Sequence, residues 1–150
     1  MELNDFLVTA KTNTYASNGE GGEKTLNDGA KELIYAEGEY KYRDQYFGAT
    51  AFVGEEIVWQ NNKAIWGMNY YGKILSDKID NEGLYPFLKK ALMLVKTDRP
   101  FRGPGDFHDG EWDYHDENNG TVDKFDGTET IYFKKEKVFE LKYHGGRIIK

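Results

Sequence analysis

Between residues 55 and 73 the apolar positions fall into two strand-length runs on either side of Asn61-Asn62, a dipeptide that accepts the positive φ angles of a tight hairpin turn. With that turn, Trp59 pairs with Ala64 and Ile57 with Trp66 on one face, and Val58 with Ile65 on the other. Both faces come out largely apolar. That predicts a ribbon in the middle of a sheet, covered on both sides.

Elsewhere the pattern alternates between helical and strand periods. Leu3, Phe6, Leu7 and Ala10 recur at helical spacing over residues 2–13, with acids at the start and Lys11 near the end, where the macrodipole favours a cation. Residues 14–29 hold too much Gly, Asn and Asp for a regular element and predict a long loop. Two strands follow, at 31–36 and 39–47, around Glu37-Gly38. Strict alternation in the second puts Tyr40, Tyr42, Asp44 and Tyr46 on one face. Gly54 marks a bulge or a close approach. Leu84, Phe87, Leu88, Ala91, Leu92 and Val95 form the stripe of a second helix that ends before Pro100. The stretch 99–110, stiffened by Pro100 and Pro104, reads as a rigid connector. Residues 111–117 read as a strand turned by Asn118-Asn119-Gly120. Residues 128–143 form a hairpin with Phe139, Leu141 and Tyr143 on one face, and His144-Gly145-Gly146 bends the chain into a short last strand. The pattern shows no internal repeat. It predicts a single α+β domain over residues 1–150: one curved antiparallel sheet of about seven strands, an N-terminal helix, and a second helix between strands four and five.

A chain of 150 residues can bury a sizeable core without staples. It has no cysteine, which excludes thiolate chemistry and cysteine-rich zinc sites and fits a reducing, cytoplasmic setting. No apolar run is long enough to cross a bilayer, and the N-terminus has no signal-peptide pattern. A net charge of -6 disfavours direct contact with nucleic-acid phosphates.

Familiar motifs fail on spacing. Lys24-Thr25 lies behind glycines, but Glu23 and Asn18 stand where a phosphate-binding loop needs Gly. Aligned on Gly120, the acidic segment 106–126 puts His115 and Asp126 at the first and last ligand positions of a calcium loop, and neither suits that motif. His108 and His115 lack metal spacing and read as surface residues, so no metal or cofactor is expected. Ser17 and Ser76 have no nucleophile context. Asp44 stands out. A carboxylate on an aromatic face needs a cation, a phenol or a proton. Tyr42, Asp44, Tyr46, Trp66, Asn69, Tyr71, Arg102 and His144 together describe either a ligand pocket of aromatic walls with a few polar groups or a satisfied core edge; in the second case Arg102 or a Tyr hydroxyl is the structural partner of Asp44.

The segments N-T-Y-A at 13–16, Y-R-D-Q-Y-F-G at 42–48, G-E-E-I-V-W at 54–59, I-W-G-M-N-Y-Y-G-K at 65–73, P-F-R-G-P at 100–104 and Y-H-G-G at 143–146 resemble a prokaryotic family of unknown function. Its members are similar along the whole chain, and some carry this domain behind an Xre-type helix-turn-helix. The resemblance carries over no catalytic residues. By analogy with those fusions it implies a sensory or ligand-binding role.

Three readings follow. The first is a non-enzymatic small-molecule-binding module, its pocket walled by the central hairpin and the Tyr42 to Tyr46 strand and closed by the Gly-rich loop. The second is an enzyme using Asp44 and His144 in acid-base chemistry. The third is a homodimeric interaction module with an exposed aromatic face.

Overall fold

The structure is a computed structural model that describes residues 1–14, 16 and 23–150. Along the chain come α1 (Leu3–Thr12), β1 (Lys24–Thr25), β2 (Lys31–Glu37), β3 (Tyr40–Gly48), β4 (Ala51–Gln60), β5 (Lys63–Ile74), α2 (Asn81–Leu92), β6 (Asp106–Asp109), β7 (Trp112–Thr121), β8 (Lys124–Phe133) and β9 (Glu136–Arg147). The strands form one open antiparallel sheet of nine, in the order β1-β2-β3-β4-β5-β9-β8-β7-β6. The expectation of about seven strands is therefore wrong, and the second helix follows strand five, not strand four. The two unexpected strands are the shortest and lie at the edges. β1 falls in the Gly-rich stretch and β6 in the Pro-rich connector, and each is defined only by its pairing with a longer neighbour. Two boundaries also differ. β7 runs through Asn118-Asn119-Gly120, and β9 passes straight through His144-Gly145-Gly146, because both are paired there on neighbouring strands.

The central hairpin turns at Asn61 and Asn62, whose φ angles are +48° and +66°. Its register slips between Val58 and Trp59, so Val58 pairs with Trp66 and Ile57 with Gly67, not the pairs read from the sequence. The extra residue, Ile65, turns its carbonyl to the Ile148 N–H instead. The bulge collects Glu56, Val58, Trp66, Met68 and Tyr70 on one buried face. Among the described residues both helices lie over that face. The other face is not covered as expected: Val53 and Tyr71 on it are about half exposed.

The chain contains a repeat that its linear pattern conceals. The buried stripe Leu3, Phe6, Leu7, Ala10 of α1 returns as Leu84, Phe87, Leu88, Ala91 in α2. Tyr42 and Asp44 return as Tyr114 and Asp116; Phe52, Gly54 and Glu56 as Phe125, Gly127 and Glu129; Tyr70 and Gly72 as Tyr143 and Gly145. Backbone features return with them. Lys134 and Lys135 adopt the positive φ of Asn61 and Asn62, Gly110 and Gly120 repeat Gly38 and Gly48, and a second register slip lies between Ile131 and Tyr132. So do ring pairs. Phe6 stacks on Tyr40 as Phe87 stacks on Trp112, and Phe52 meets Phe139 as Phe125 meets Trp66. At the β5–β9 seam Tyr70 is paired with Tyr143, its own counterpart, which places a local two-fold axis between them. The repeated residues sit mostly at alternate, inward positions, so the unlike outward residues between them hide the likeness from a linear scan.

Candidate functional site

The inner face carries two carboxylate pairs, one in each half. Asp44 lies directly across from Glu56 on neighbouring strands, and Asp116 from Glu129. All four are buried. Buried like charges side by side need cations, hydrogen bonds or protons.

The second-half pair is heavily bonded. Arg102 grips Glu129 with two parallel bonds, Nε to Oε2 at 3.0 Å and Nη2 to Oε1 at 2.8 Å. Tyr114 donates to the same carboxylate at 2.5 Å and accepts from the Gly103 N–H at 2.9 Å. Tyr143 donates to Asp116, and Arg99 Nη2 lies 3.3 Å from its Oδ2. In the first half, Lys11 Nζ donates to Glu56 Oε1 at 2.6 Å and to the Phe101 carbonyl at 2.8 Å. Lys11 was expected to decorate a helix end. It is wholly buried, and burial pulls its pKa down against the opposing pull of Glu56. Its place as the next member of the Leu3, Leu7 series was the available signal.

Asp44 is 3% exposed, and among the described residues one hydrogen bond reaches its carboxylate, from the Tyr70 hydroxyl to Oδ1 at 2.6 Å. Burial first, and the neighbouring Glu56 second, push its pKa up to about 7, against the Tyr70 bond, Lys11 and Arg102. Asp116 is likewise pushed up to about 7, by burial and by Glu129. Gly54 makes the Tyr70 bond possible. A Cβ there would lie 2.3 Å from the Tyr70 ring, so the expected special glycine is a close-approach site, as is its counterpart Gly127 beneath Tyr143.

Beside Asp44 opens a hollow of about 650 Å³ between α2 and the inner face of β2 to β5. Leu33, Phe52, Leu88 and Leu92 supply apolar walls, and Tyr46, Tyr70 and Tyr85 aromatic ones. The polar lining is Asp44, Arg102, Glu23, Asn81, Glu82 and Lys89. Tyr46 donates to Glu23 and Tyr85 to the Ala49 carbonyl. Asp80 caps α2 by accepting the Gly83 N–H at 2.8 Å. Pro86, inside that helix, offers no N–H to the Glu82 carbonyl, and both residues line the hollow. Of the Gly-rich loop expected to close a pocket, residue 15 and residues 17–22 lie outside the described residues.

Of the eight residues named from the sequence, Asp44, Tyr46 and Arg102 line the hollow. Tyr42 and Trp66 are core residues, the Trp66 indole N–H donating to the Val122 carbonyl at 3.0 Å. Asn69, Tyr71 and His144 are exposed on the opposite face of the sheet, so His144 does not meet Asp44. Arg102 does not bond Asp44 either; its carboxylate is Glu129. Tyr85, Pro86 and Lys89 of α2 were not read from the sequence as lining residues, because they lie off the apolar stripe that marked the helix. Among the described residues no cluster of His, Asp and Glu could hold a metal ion, and no helix is long and apolar enough to cross a membrane.

Neither the curated proteins nor the solved structures contain a match to this chain. One family model does match, over residues 44–148, beginning at Asp44 itself and running through the rest of β3 to the end of β9. The chain thus belongs to the family described as a domain of unknown function, DUF5680.

Proposed function

We propose that this domain is a non-enzymatic small-molecule-binding module, with its site in the hollow between α2 and the β2 to β5 half of the sheet. The observation that carries the reading is a buried carboxyl group opening onto a space of ligand size with aromatic and apolar walls. A hollow of this size suits a compact metabolite. The acid-base reading loses its second member, since His144 is on the other face of the sheet. A sensory role, drawn from relatives that carry a DNA-binding module, is compatible with such a site.

The test is a thermal-shift screen of soluble metabolites against the wild type and Ala49→Trp, which places an indole at the rim of the hollow from an exposed position. A ligand that binds only the folded form raises Tm, and the shift is expected to disappear in the filled variant. A broad library without a single shift, or shifts that survive Ala49→Trp unchanged, would overturn the reading.

A further inference from the structure

The repeat supplies an internal control for the hollow, and resting on the reading of the hollow as a ligand site, we infer that its ligand is an organic cation, an amine, amidine or guanidine on an apolar body, with Asp44 as its counter-ion. In the second half, Asp116 holds the corresponding position and already has a cation, the Arg99 guanidinium, at 3.3 Å. Gly105 makes room for it: a Cβ there would stand 3.0 Å from Arg99 Nη1. Leu33 replaces Gly105 in the first half, paired with Asp44 as Gly105 lies beside Asp116. It brings no charge, and it forms a wall of the hollow.

The balance of buried charge points the same way. The inner face holds four carboxyl groups, Asp44, Glu56, Asp116 and Glu129, and among the described residues three cations bond them: Lys11 to Glu56, Arg99 to Asp116 and Arg102 to Glu129. Asp44 is the member left over. The groups facing it are Glu56 on β4, Tyr70 on β5, Lys11 on α1 and Arg102 after α2; around the hollow stand Glu23, Tyr46, and Glu82, Tyr85 and Lys89 of α2. Lys11 and Arg102 are both engaged by other carboxylates, so Lys89 is the lining cation set against the acids Glu23, Asp44 and Glu82. The aromatic rings of Tyr46, Phe52 and Tyr85 in the lining favour a cation further.

The experiment compares four probes of one shape, benzamidinium, benzylammonium, benzamide and benzoate, by thermal shift and calorimetry on wild type and Asp44→Asn. The two cations are expected to bind the wild type and, at a hundredfold excess over Kd, to raise Tm by about 5–10 °C. Because they pair with the ionised carboxylate, their affinity should rise about tenfold from pH 6 to pH 8 and be lost in Asp44→Asn. An unchanged circular dichroism spectrum shows that this variant is folded. Benzamide or benzoate binding as well as the cations would overturn the ligand class while leaving the hollow a binding site. Cation binding undiminished in Asp44→Asn would remove Asp44 from the role of counter-ion, and no cation binding up to millimolar probe would overturn the inference. The metabolite screen with Ala49→Trp judges the hollow separately.

Discussion

Asp44 illustrates how a single side chain ties stability to pH. Its carboxyl titrates near 3.8 when unfolded and near 7 when folded, so between those values the native state holds more protons than the unfolded chain. The stability this contributes is full below the unfolded pKa and is lost as pH rises through the folded one. Asp116 acts in the same sense. Asp44→Asn keeps the shape and removes the titration. In urea denaturation between pH 4 and pH 8 the wild type should therefore lose stability relative to the variant, by an amount on the order of a few kcal/mol. Parallel pH profiles would show that the group is not held protonated. The partner carboxylates are secured differently. Glu56 and Glu129 have cations of their own, and the two cations come from unlike places, a helix for Lys11 and a loop for Arg102. The repeat thus keeps its acids and varies its bases.

At the scale of elements, the two tyrosines that bond the aspartates depend on glycines in the neighbouring strand. A methyl group at Gly54 or Gly127 would collide with the ring of Tyr70 or Tyr143 at 2.3 Å or 2.1 Å. Gly54→Ala and Gly127→Ala should each destabilise by about 1–3 kcal/mol, the usual cost of overfilling a packed site. Their functional effects should differ. Gly54→Ala should push Tyr70 off Asp44 and weaken the proposed binding in the hollow, whereas Gly127→Ala should disturb the half whose aspartate already has Arg99. Equal losses of binding in the two folded variants would argue against the placement of the site. α2 contributes to both halves: its Phe87 stacks on Phe107 and Trp112, and its Tyr85 meets Phe52 across the hollow.

For the whole molecule, the β5–β9 seam joins the two repeats and lies at the centre of the sheet, flanked by four strands on one side and three on the other. Native-state hydrogen exchange should therefore find the amides of β5 and β9 the last to exchange, and those of β1 and β6, short edge strands, the first. Faster exchange at the seam than in β3 or β7 would show that the halves open independently.

Period and turn chemistry made much of this legible in the chain alone. The apolar stripes of both helices, the Asn61-Asn62 turn, the inward face of Tyr40, Tyr42, Asp44 and Tyr46, and the oddity of an acid among tyrosines all follow from local patterns, because side-chain direction in helix and strand is set by backbone geometry. What lay beyond local pattern was decided by pairing in space. The edge strands β1 and β6 exist only through their neighbours, and the slip at Val58 depends on where the Ile65 carbonyl finds a donor. The partners of Lys11 and Arg102 are residues distant in sequence, and His144 was parted from Asp44 by strand parity across the seam. The hollow itself lies between α2 and the other repeat, walled by Leu88 and Leu92 of the stripe and by Tyr85, Pro86 and Lys89 beside it. A buried ion pair and a cavity are both properties of what surrounds a residue, and surroundings are the one quantity that a linear sequence leaves to the folded chain.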